Sequence, residues 1–408
     1  VPASLSPFAP LLVVILLAAL AAVVLVLLPV RGRGPGRLRL LVAAVAVAVV
    51  GVAGVGLATA RPVAPRAAVA DPTVDARPSA TPSRAPSASP APVSGASEAT
   101  VAPTPARLTT GLTAASDLDR TWVAPAGMPT RGREYSVAIP GTVSRFAARP
   151  ADVYLPPAAL VANAPALPVV VLLSGQPASP DSVMTVGSVV RTEDALAAKD
   201  HGLAPIVVVP DQLGRPQDNP MCVDGPLGNV STYILRDVTS WIRGHLRVLP
   251  GRDAWAVGGF SEGGTCSIQF ATAHPDVFGS FIDVSGERYP TMRTDEVAIQ
   301  AGFRGSVTAY DRAKPENILR KHGRYVDEQA VFAVGATDTH YGAIMTLMSG
   351  KAEAAGITVA RYVSPHTGHD WTTASNGFAS GIGALYPRFG LAPAGIYLDA
   401  LVPPAPTA

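Results

Sequence analysis

Between Ala254 and Pro275 the sequence reads AWAVGGFSEGGTCSIQFATAHP, setting Ser261 among glycines where an apolar run gives way to a helix-like one. With Gly at 38 positions, the pattern Gly259-Phe260-Ser261-Glu262-Gly263 carries little weight alone. Its setting carries more. A serine on a sharp turn between a strand and a helix is held with its hydroxyl exposed, and flanking glycines are needed because so tight a turn has no room for side chains. The competing reading is a small residue in a tight turn. A serine hydroxyl is a weak nucleophile until a base takes its proton, so the chemical reading demands a histidine towards the C-terminus and an acid between the two. Asp338 ends the run AVFAVGATD, and His369 lies in SPHTGHDW beyond the last apolar run. The order Ser261, Asp338, His369 meets the demand.

Other residues compete for these roles. Asp283 and Glu287 flank the run before Asp338 and stay open as the acid, whereas Asp370 adjoins His369 and neighbours on a chain seldom face each other. Asp338 itself has a second reading, as the cap of a following helix. His340 follows Asp338 closely, and His366 with His369 has the H-x-x-H spacing of metal ligands, but no third ligand is placed beside them. Acyl transfer also needs donors aimed at the developing oxyanion. The backbone N–H of Glu262, directly after the nucleophile, is one; the other is assigned to Gln176 in SGQPASP, a stretch whose plainer reading is a strand-to-helix turn.

Elements that would position these groups alternate along the chain. LPVVVLLSG (167–175) and APIVVVPD (204–211) are continuous apolar runs, as strands buried on both faces require. AWAVGGF, GSFIDVSG (279–286), QAVFAVGATD (329–338) and ITVARYVSP (357–365) continue the series, and REYSVAIP with RPADVYLP reads as an opening antiparallel pair. Helices are expected at Asp181 to Lys199, Val230 to Leu246, Glu262 to His274, His340 to Ala355 and Trp371 to Tyr386. This is the pattern of an α/β sheet with crossover helices. The least regular stretch, Glu287 to Tyr325, is a candidate cap over the site.

The rest of the 408-residue chain is different in kind. Phe8 to Val30 and Leu40 to Ala60 are uncharged, and a helix of the first length spans roughly 35 Å, enough for a bilayer. Arg31, Arg33, Arg37 and Arg39 lie between them, which predicts a transmembrane hairpin with its turn in the cytoplasm and its outer ends outside. Arg61 and Arg66 flank the second run and weaken that asymmetry. Residues 61–109 are rich in Pro, Ala and Ser with few large apolar side chains, the composition of an extended tether, and 110–408 form the globular part. That part would face an oxidising compartment, so Cys222 and Cys266, the only two cysteines, are expected to pair. A net charge of +2 with 15% charged residues offers no nucleic-acid-binding face. Nothing calls for a cofactor or a metal.

VVVLLSGQPASP, NPMCVDGPLGN, GGFSEGGTCSIQFATAHPDVF, FIDVSGERYPT, VGATD and GHDW together resemble the esterase family of α/β-hydrolases, which includes esterase D-like enzymes and the mycolyltransferases of the antigen 85 complex. The resemblance runs from about Arg131 to Leu391. It implies an α/β-hydrolase fold, with Ser261 as nucleophile, His369 as base, Asp338 as acid, and Gln176 and Glu262 at the oxyanion hole. Mycolyltransferases place a glutamate a few residues beyond the same strand as their acid. The implied activity is that of an outward-facing, membrane-anchored serine esterase acting on an ester or acyl-lipid substrate. Two alternatives stand beside it: an acyltransferase moving acyl groups to envelope sugars, and a non-catalytic envelope-binding module. Oligomeric state is open.

Overall fold

The structure is a computed structural model that describes residues 112–215 and 217–391, all within the second of the two units into which the chain divides, Ala99–Ala408. The expected hairpin (8–30 and 40–60) and tether (61–109) lie outside the described residues. Among the described residues no helix is long and apolar enough to cross a membrane.

Eight strands form one sheet: β1 (Arg133–Val137), β2 (Ala151–Leu155), β3 (Val169–Leu173), β4 (Ile206–Val209), β5 (Trp255–Phe260), β6 (Ser280–Val284), β7 (Gln329–Gly335) and β8 (Thr358–Ser364). Their order is β1-β2-β4-β3-β5-β6-β7-β8. β2 runs antiparallel to both β1 and β4, and every later pairing is parallel. Every residue of β3 to β7 is buried, which accounts for their unbroken apolar runs: helices cover both faces of a parallel sheet. Chain order reverses at β3, whose neighbours are β4 and β5. A crevice therefore opens beyond the C-terminal ends of β3 and β5, where ligands of such sheets bind.

The longer helices are α1 (Pro180–Thr185), α2 (Val189–Lys199), α3 (230–245), α4 (Glu262–Ala273), α5 (Asp295–Phe303), α6 (Val307–Ala313), α7 (Pro315–His322), α8 (Thr339–Ala354) and α9 (Trp371–Phe389). α3 is continuous from Val230–Thr232 through a π segment, Tyr233–Val238, to Thr239–His245. The single helix expected over 181–199 is two. Gly187, a poor helix former, and Ser188, at φ 57°, break it. α9 continues past Tyr386 and stops at Gly390, whose left-handed backbone closes the last turn.

Residues 287–325 are more regular than their sequence indicates, since they carry α5, α6 and α7. Ala298, Phe303 and Tyr310 form a small separate core with Met221. Met221 adjoins Cys222, which is joined to Cys266 on α4 with Cα atoms 5.5 Å apart. The loop after β4, the elbow helix and the three-helix segment are thus fastened at one point.

Candidate active site

Ser261 follows β5 directly, with φ 58° and ψ −118°. Such a backbone is strained for a side-chain-bearing residue and persists only where its surroundings enforce it. Here they do. The Ser261 N–H donates to the Val284 carbonyl on β6 at 2.9 Å, and its own carbonyl accepts from the Thr265 N–H at 3.0 Å. A Cβ on Gly259 would run into the Gly263 carbonyl, and one on Gly263 into the Leu173 carbonyl. Both glycines are needed because backbone meets backbone there.

His369 is delivered by the loop between β8 and α9. Its Nε2 lies 2.9 Å from Ser261 Oγ, and its Nδ1 lies 3.5 Å from Asp338 Oδ2. Asp338 Oδ1 meanwhile accepts from the Tyr341 N–H at 3.1 Å. The capping role and the histidine-facing role therefore coexist, one on each oxygen. The imidazole is stacked between Tyr341, at 4.0 Å and 15°, and Phe260, at 4.8 Å and 29°. Burial pulls the His369 pKa below the ordinary histidine value, against the opposing pull of the Asp338 charge. The ring is thus neutral near pH 7 and able to accept a proton.

The rival residues are engaged elsewhere. Asp370 caps α9, accepting from the Thr373 N–H at 2.9 Å and the Gly368 N–H at 3.0 Å. Asp283 accepts from the Gly286 N–H at 2.8 Å, and burial pushes its carboxyl up to about 7. His366 and His340 are exposed. Glu287 does reach the site, not beside His369 but through Tyr341, whose hydroxyl lies 3.5 Å from its Oε1. Burial raises it to about 7.

On the opposite side lie the two assigned oxyanion donors. Glu262 is the first residue of α4, so its N–H has no acceptor within the helix. The loop after β3 passes close by, for a Cβ on Gly175 would sit 3.2 Å from Ser261 Cβ, and Gln176 follows it. Two residues that sequence reasoning missed hold this loop. Gln212 donates both to the Ser174 carbonyl at 2.5 Å and to Glu262 Oε2 at 3.0 Å. Arg149 donates to the Ala178 carbonyl at 2.9 Å while paired with buried Asp211 at 2.8 Å. The Glu262 carboxyl is buried and pushed up to about 8 by desolvation. Among the described residues, one group of Cys, Glu, Asp or His atoms is close enough to share an ion, Cys222, Glu262 and Cys266, and its two sulfurs are joined in the disulfide.

The strained serine, the histidine bonded to it and the acid behind that histidine sit where the sheet changes direction. A family model described as "Putative esterase" matches residues 147–366, more than half of the chain. The chain belongs to this esterase family. An uncharacterized protein of Corynebacterium glutamicum is 38% identical over 180 residues, 44% of this chain and 42% of that protein, so the match spans less than half of that relative. Among solved structures, a ferulic acid esterase superposes with a TM-score of 0.52 at 18% identity, over 62% of this chain and 96% of that one. An S-formylglutathione hydrolase from Agrobacterium tumefaciens gives 0.53 at 19% identity, over 65% and 97%. At these identities the likeness speaks for the α/β-hydrolase fold. The esterase-family match and the fold together make the chain an enzyme of the α/β-hydrolase superfamily.

Proposed function

We propose that the esterase domain hydrolyses carboxylic esters through an acyl-enzyme on Ser261. The observation that carries this is the 2.9 Å contact between Ser261 Oγ and His369 Nε2. In the first half-reaction His369 takes the Ser261 proton as Oγ attacks the ester carbon. The carbonyl oxygen becomes an oxyanion facing the Glu262 and Gln176 N–H groups, each such donor being worth about a hundredfold or more in rate. The C–O bond to the alcohol then breaks, and the departing oxygen takes the proton from His369. In the second half, water gives a proton to His369, attacks the acyl carbon and releases the acid, and Ser261 recovers its proton. Asp338 holds the imidazole in the tautomer with its proton on Nδ1 and stabilises the transient imidazolium. A non-catalytic module would have no use for a strained serine bonded to a histidine.

Ester hydrolysis tests the reading: purified protein should cleave short-chain p-nitrophenyl esters, and Ser261→Ala and His369→Ala should each remove nearly all of that rate. Undiminished turnover in Ser261→Ala would sink it. The same reading anchors the domain on the outer side of a membrane. The two uncharged runs with arginines between them support it, as does the Cys222–Cys266 disulfide, a bond that persists in oxidising compartments. Two free thiols in denatured protein taken from cells would count against that placement.

A further inference from the structure

Two polar groups face the nucleophile from the β6 and β7 side of the sheet, and the reaction above leaves them without a task. Tyr341 stacks on His369, the base bonded to Ser261 Oγ, and its hydroxyl lies 3.5 Å from Glu287 Oε1. Glu287 is itself fixed, its backbone N–H donating to Thr265 Oγ1 on α4 at 2.8 Å. Among the described residues no Lys or Arg pairs with Glu287. Stacking on His369 uses only the Tyr341 ring, so phenylalanine would serve it equally. A desolvated carboxyl without a cation lowers stability. Both groups therefore need a reason beyond packing.

Their side of the site supplies one. The oxyanion donors come from the loop after β3 and from the start of α4, whereas His369 and Glu287 come from the loops after β8 and β6, and Tyr341 from the first turn of α8, which follows β7. The base exchanges protons with the leaving and the attacking oxygen, so those oxygens lie on the Tyr341 side. Resting on the acyl-enzyme reading, we propose that Tyr341 is a further catalytic residue that holds the attacking water during deacylation, with Glu287 as its positioning residue, and that this arm selects water over an alcohol as acyl acceptor. Only water has a hydrogen to spare for this arm. One water hydrogen goes to His369 as its oxygen bonds to the acyl carbon. The other donates to the Tyr341 oxygen, whose own O–H donates to Glu287 Oε1 and stays on tyrosine throughout. An alcohol gives its single hydrogen to His369 and has none left for Tyr341. The 3.5 Å gap is long for an O–H···O bond, and contacts of this kind commonly close when substrate binds.

The test is the ratio of methyl ester to free acid formed from a p-nitrophenyl ester at a fixed methanol concentration. Tyr341→Phe, which keeps the ring on His369, should raise that ratio about tenfold, the size of one lost hydrogen bond. Glu287→Ala should move it the same way, and Glu287→Gln, which retains an acceptor oxygen, should move it less. An unchanged ratio in both Tyr341→Phe and Glu287→Ala overturns the proposal even if turnover falls, because slower turnover at constant partitioning means only a disturbed histidine. Ser261→Ala separates the two failures. Turnover that survives it defeats the acyl-enzyme itself, whereas turnover lost with it and a constant ratio in the other variants defeats only the water-holding arm.

Discussion

Asp338 serves two masters with its two oxygens, capping α8 through Oδ1 and facing His369 through Oδ2. Asparagine caps helices as well as aspartate, but its amide nitrogen would face the imidazole and favour the wrong tautomer. Asp338→Asn should therefore lower the esterase kcat by about 10⁴-fold with little change in melting temperature. An unchanged kcat would mean that the capping role alone explains the residue. That Ser261, Asp338 and His369 come together was legible because the order lies along the chain, as a serine between glycines at the end of one apolar run, an aspartate ending another and a histidine after the last. Tyr341, Phe260 and Gln212 had no such signal. Their importance comes from rings stacked on His369 and from an amide joining Ser174 to Glu262, contacts between segments far apart in sequence. Only the three-residue offset of Tyr341 from Asp338 was available as a clue, since it lies one helical turn from the cap.

Among the elements, the elbow helix α4 carries the most. Its first residue is an assigned oxyanion donor, its glycines touch β3 and β5, and its Cys266 binds the loop after β4. The bridge closes a 44-residue separation, so in the chain-entropy model Cys222→Ser with Cys266→Ser should cost about 2 to 4 kcal/mol of unfolding free energy, measured by denaturant titration. A loss near zero would show that the bridge constrains nothing the packing does not already hold. Strand positions were readable because runs such as VVVLL and IVVV are buried on both faces and show it in composition. The break at Gly187 and Ser188 and the three helices within 287–325 were less so. α6 and α7 are short, and the small core that α5 and α6 form borrows Met221 from a distant loop, so no local periodicity announces it.

At the scale of the whole described body, the notable feature is how many carboxyls are buried: Glu193 is raised well above its ordinary value, Glu262 to about 8, and Asp200, Asp283 and Glu287 each to about 7, all chiefly by desolvation. Each keeps its proton in the folded state over a range where the unfolded chain has released it. The folded state then binds more protons, and stability falls as pH rises. Asp237 and Asp327 are lowered by hydrogen bonds and, for Asp327, by Arg388, so their contribution is lost on acidification. The melting temperature should therefore decline between about pH 5.5 and 8.5, and a flat or rising profile would contradict these protonation states. The central claim concerns one atom, Ser261 Oγ, and covalent capture tests it most directly. Full-length protein treated with a fluorophosphonate should gain one adduct, found by peptide mass spectrometry on Ser261 and absent from Ser261→Ala and His369→Ala. Folded wild-type protein that stays unlabelled, or Ser261→Ala that labels as well as wild type, would contradict the account.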